Sequence, residues 1–179
     1  MENYFGKNAA ARICRICEQN RLNPKMVHWK AEKLLAPYRD AKQIVRSNIV
    51  SEDRIVSKTI CLVREKYHKY QIGLGHTTKS IDFTIMEILG TKWADKIVEK
   101  VLAQINEVNI CAEYVEILKR AYLDQEAKSA EMIMDELNLS KSSYYRKKEQ
   151  AVTLFGILLW TTMLEECGCN PKELKEKSG

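Results

Sequence analysis

Lys141, Ser142, Ser143, Tyr145, Arg146, Lys148 and Glu149 lie within nine consecutive residues. They are groups that recognise nucleic acid rather than groups that make or break covalent bonds. Lysine and arginine meet phosphates, serine bonds to phosphates or base edges, and arginine grips guanine through two parallel hydrogen bonds. If these residues open a helix, its free amides and positive dipole end also favour a backbone phosphate. The assignment that follows makes Ser142, Ser143, Tyr145 and Arg146 the principal readers of double-stranded DNA, Lys141 and Lys148 the backbone anchors, and Glu149 a neighbour on the same face. The plainer alternative is a helical hairpin whose basic face is merely solvated.

The flanking sequence supplies elements that would hold such a face. From Ser129 to Phe155 the pattern reads as two helices joined by a tight turn. Ile133 and Leu137 are four apart, with Ala130 and Met134 beside them, which gives the first helix one apolar face. Asn138-Leu139 follows, and asparagine tolerates the left-handed conformation that ends a helix. Ser140 can cap the next helix by accepting a hydrogen bond from a free amide. In that second helix Tyr144, Ala151 and Phe155 fall at helical spacing, with Lys148 between them; Leu154 and Leu158 carry the inward face further. A short helix, a turn of about three or four residues and a second helix make the DNA-binding helix-turn-helix pattern.

From about Cys111 to Leu158 the chain resembles the C-terminal helix-turn-helix of sigma-factor region four, and more specifically the phage transcriptional regulators of the ArpU/RinA type. The matching residues are Leu118, Tyr122 and Leu123 on the leading helix, then Ser129, Ile133 and Glu136-Leu137-Asn138-Leu139-Ser140. Ser143-Tyr144-Tyr145-Arg146-Lys147-Lys148 and Ala151 follow, before Phe155. Asn138 stands where the turn usually has glycine. Lys147 stands where sigma-type recognition helices often have an apolar residue, so it must snorkel or lie at the edge. The resemblance implies a phage or prophage regulator that binds promoter DNA and contacts host RNA polymerase.

Composition points to an all-α protein of 179 residues: seven Gly and three Pro, with abundant Leu, Ile, Lys, Glu and Ala. The net charge of +5 is unevenly spread. Residues 1–110 carry 19 Lys/Arg against 12 Asp/Glu, and 111–179 carry 10 against 12. The basic excess therefore lies upstream, where it can meet the DNA backbone or an acidic protein surface, or simply be solvated. Met1 to Asn20 lacks a signal-peptide pattern, and the longest apolar run, Leu154 to Leu164, is too short to span a bilayer. The expectation is a cytoplasmic protein of a bacterial host, with reduced cysteines and no membrane contact.

In chain order, a short helix is expected over about 8–20, carrying Ala9, Ile13, Ile16 and Cys17. Asn23-Pro24 breaks it, helix resumes near Met26, and Pro37 ends or kinks that second helix. Tyr38 to Val50 follows with Ile44 and Val45 inward, and another helix starts at Ser51. Gln71 to Ser80 reads as a hinge, and Ile81 to Leu89 as strand or helix. Thr91 caps a long helix to about Glu107 with Trp93, Ile97, Val101 and Ile105 on one face. A second amphipathic helix spans Cys111 to Leu123 with Val115, Leu118 and Tyr122. The division expected is a basic N-terminal helical region (1–75), connecting helices (76–110), the helix-turn-helix domain (111–166) and a frayed tail (167–179).

Other chemistries are weaker. Cys14-Arg-Ile-Cys17 with Cys167-Gly-Cys169 could compose a four-thiolate zinc site, but the pairs are remote, one is CxC, and the other lies in a helix. Gly73-Leu-Gly75 with Lys79-Ser80 lacks the register of a phosphate loop. His28, His68 and His76 stand apart, with no nucleophile in catalytic order. No catalytic residue, metal or cofactor is therefore assigned. The two rival classes are a protein-interaction module on polymerase (a sigma-like or anti-sigma adaptor) and a metal enzyme built on the cysteines; a phage packaging DNA-binding protein is a milder variant of the main reading. A homodimer fits the main reading, because one such module seldom supplies enough affinity alone.

Overall fold

The computed structural model describes residues 2–47, 89 and 91–168. Among them the fold is all-α. In chain order come α1 (Glu2–Gln19), α2 (Pro24–Leu35), α3 (Tyr38–Ser47), α4 (Lys92–Val108), α5 (Glu113–Leu118), a π-helical turn (Lys119–Leu123), α6 (Ala130–Glu136) and α7 (Lys141–Glu166). The expected helix from Ser51, the hinge at 71–80, the stretch 81–88, the 75/76 boundary, His68, His76 and Cys169 lie outside the described residues.

The breaks between helices follow local chemistry. Asn23 caps α2, its side chain accepting from the amides of Lys25 and Met26, with Pro24 at the first position, where its missing N–H costs nothing. Pro37 separates α2 from α3. Thr91 caps α4 through the amide of Ala94 at 3.1 Å, and Asn109 closes that helix in the left-handed region (φ 47°).

The Cys111–Leu123 segment differs from the uninterrupted helix expected. After Leu118 it widens into the π-helical turn, and the amide of Asp124 donates to the Lys119 carbonyl five residues back at 2.8 Å. Such widened turns often sit at functional sites; here Tyr122 is buried inside the turn.

One large apolar core joins both ends of the described chain. Ile13 and Cys17 of α1, Ala31 and Leu35 of α2 and Tyr38 of α3 pack with Ile97, Val101 and Ile105 of α4 and with Ala151, Leu154 and Phe155 of α7. The contact of α2 with α7 is close because Gly156 has no side chain. A Cβ there would lie 2.8 Å from the Val27 side chain and 2.9 Å from that of Ala31. Beside it, the Thr153 hydroxyl lies 3.3 Å from His28 Nδ1 and donates to the Glu149 carbonyl at 2.8 Å. His28 is thus a packing residue. A separate small cluster of Ile117, Ile133 and Tyr144 ties α5, α6 and α7 together, with Ala130, Met134, Leu137 and Leu139 around it. No described helix is long and apolar enough to cross a membrane.

Candidate nucleic-acid interface

The corner between α6 and α7 is built by residues whose local preferences agree. Ser129 caps α6, accepting from the amide of Met132 at 3.2 Å. Asn138 takes the left-handed conformation (φ 51°), and the Leu139 amide bonds back to the Met134 carbonyl at 2.9 Å. Ser140 then caps α7 through the amide of Ser143 at 3.3 Å. Four residues, Leu137 to Ser140, thus turn the chain between the two helices.

Tyr144 is 1 % exposed and faces Ile117 and Ile133, which fixes the rotation of the first turns of α7. With Tyr144 inward, Lys141, Ser142, Tyr145, Arg146 and Glu149 are exposed. Ser143 and Lys148 are half-buried. The structure therefore brings five of the seven sequence-chosen residues to one open surface and holds the other two at its margin. Lys148 is engaged there, its ammonium 5.0 Å from the centre of the Tyr122 ring in a cation–π contact. Tyr145 packs edge-on to Tyr144 with ring centres 5.1 Å apart, and is left 48 % exposed.

Lys147 resolves the departure noted at its position. Its stem lies half-buried and its ammonium meets the Glu113 carboxylate at 2.5 Å, so it pairs with α5 at the edge of the packed face. Glu113 also accepts from the Cys111 thiol at 2.8 Å. Burial alone would push the Glu113 carboxyl up, but the hydrogen bonds from Cys111 and Lys147 outweigh it and hold the group down to about 2. Burial, then the bond to Glu113, pushes the Cys111 thiol up to about 11, so it stays protonated. One turn beyond Lys147, Gln150 accepts from the Tyr114 hydroxyl at 2.7 Å. Two side-chain links from α5 thus grip α7 just behind its open face.

A second group of charges fastens α6. Glu136 accepts from Lys128 at 2.7 Å and also pairs with Arg120, which reaches Glu116 at 3.3 Å. Arg39 of α3 donates to the Asp124 carbonyl at 2.7 Å, tying the N-terminal helices to the segment leading into the corner. Sequence reading missed these supports. Glu116 and Arg120 had a usable signal, opposite charges four apart on one helix. Glu113 with Lys147 and Arg39 with Asp124 had none, because their partners lie 34 and 85 residues away.

Among the described residues no group of His, Cys, Asp or Glu is arranged to hold a metal ion. Cys14 is exposed and Cys17 buried on the same helix. Over residues 77–155 the chain is similar to a family whose model is described as "Protein of unknown function (DUF1492)". That match takes in α4, α5, α6 and α7 as far as Phe155. Comparison with curated proteins and with solved structures gave no match.

Proposed function

We propose that this chain is a sequence-specific double-stranded DNA-binding protein, a transcriptional regulator that lays the first turns of α7 in the major groove. The observation that carries the reading is the face left open once Tyr144 is buried: Lys141, Ser142, Tyr145, Arg146 and Glu149 project from the start of a capped helix. No ion pair among the described residues takes up Lys141 or Arg146. Affinity comes from phosphates met by Lys141 and the amides at the α7 N-terminus, and selectivity from Ser142, Tyr145 and Arg146 at base edges. No covalent chemistry is required, so the reading is not an enzyme.

The resemblance to ArpU/RinA-type regulators and sigma region four supports the finer reading: control of phage or prophage genes in a bacterial cytoplasm, with host RNA polymerase a further partner and two copies sharing one operator. Selection of bound duplexes from random DNA, followed by mobility-shift titration, tests it. The expected result is an enriched motif whose binding weakens steeply with salt. Recovery of no motif, with salt-insensitive and sequence-blind binding, would favour the protein-interaction reading. The exposure of Met132 (52 %) and Tyr145 (48 %) on the two helices of the corner is the observation on that side.

A further inference from the structure

The two faces of α2 are treated very differently. Its inner face, Val27, His28, Ala31 and Leu35, packs into the core and against α7 at Gly156 and Thr153. Its outer face leaves Met26 and Trp29, one turn apart, 50 % and 54 % exposed. They are two of the five exposed large hydrophobic residues among those described. Lysines rim them: Lys25, Lys30 and Lys33 are exposed, and the Lys33 ammonium sits 6.0 Å from the Trp29 ring centre. The single acid of α2, Glu32, is exposed and lies 3.8 Å from His28, so lysines outnumber acids around the pair.

Exposed tryptophan and methionine are what protein interfaces concentrate at their centres, with charged groups at the rim. Phosphates have no use for the thioether or for an indole lying on a helix surface, and lysines would repel a basic partner. We propose that the outer face of α2 is a docking surface for an acidic amphipathic helix of a partner protein. Apolar side chains of that helix cover Met26 and Trp29, and its carboxylates meet Lys25 and Lys33. The surface is separate from the start of α7 and does not depend on the DNA-binding reading.

The probe is a fluorescein-labelled helical peptide with leucines along one face and glutamates along the other. Its counterpart has lysine for every glutamate. Anisotropy titration with the full chain is expected to show the acidic peptide binding at least about tenfold more tightly than the basic one. Trp29→Ala, and separately the pair Lys25→Glu with Lys33→Glu, are each expected to weaken it by about tenfold or more with unchanged melting temperature, since these side chains are exposed. Equal binding of the two peptides, or variants that bind the acidic peptide as the parent does, would overturn the proposal. So would loss of duplex-DNA binding by the lysine variants without loss of peptide binding, which would give this face to nucleic acid.

Discussion

Helix α7 is two structures in one rod. In its second half Ala151 to Phe155 are all buried, five residues in succession, because α1, α2, α4 and α5 surround the helix there. In its first half, from Lys141 to Glu149, Tyr144 alone is buried. An amphipathic stripe would serve one neighbour; burial on all sides marks a central helix. Each large apolar side chain buried there contributes about 1.5–3 kcal/mol, so the second half anchors the fold. The first half rests on the small cluster of Ile117, Ile133 and Tyr144, the Lys147–Glu113 pair and the Lys148–Tyr122 contact, with the Gln150–Tyr114 bond just beyond it. A helix rooted in one core and supported by another can present side chains rigidly without its own surface being consumed by packing.

Substitutions should separate the two halves. The largest effect is expected from Phe155→Ala, which leaves a cavity in the large core and should lower unfolding free energy in urea by about 3–5 kcal/mol. Any loss of DNA binding in that variant should track the unfolded fraction. Ile133→Ala removes a third of the small cluster and should cost about 2–4 kcal/mol. Hydrogen exchange there should quicken in α6 and the first turns of α7 before it quickens in α4. Arg146→Ala should weaken binding to a selected duplex by about 1–3 kcal/mol in a mobility-shift titration and leave the urea transition where it was. Ser140→Ala deletes the α7 cap and should lower stability by about 1 kcal/mol.

The smallest effect concerns pH. Glu113 is held to about 2 against an ordinary 4.5, so its ionised form favours the folded state. That contribution is complete above the ordinary value and fades as pH falls from there toward about 2. Because the pair is partly open to solvent, it amounts to less than about 1 kcal/mol. Glu113→Gln should therefore be less stable than the parent near neutral pH, and the gap should close in acid unfolding measurements. A gap independent of pH would remove the Glu113–Lys147 pair from the supports of α7.

The same contrast explains how much could be read from sequence. Asn138, Ser140, Thr91 and the Tyr144–Ala151–Phe155 spacing were legible because caps, left-handed turns and helical periodicity are decided within a few residues. The open face followed once Tyr144 was placed inward. The packing of α2 on Gly156 was not legible, since a glycine inside a helical pattern announces a close approach without naming what approaches. Ile117, the α5 member of the small cluster, falls off the stripe that Val115 and Leu118 define, though all three are buried. The reason is that α5 is buried on two sides, facing α7 and the corner at once. The π-helical turn at Lys119–Leu123 left no mark in the residue pattern, because Tyr122 keeps an inward position in either kind of helix.

The most direct measurement is amide chemical-shift mapping of the full chain titrated with a duplex selected by it. The largest shifts are expected on Ser140 to Glu149, with Arg146 among them, while Ala151 to Leu164 stay still. Shifts centred elsewhere, with the start of α7 silent, would contradict the DNA-binding reading.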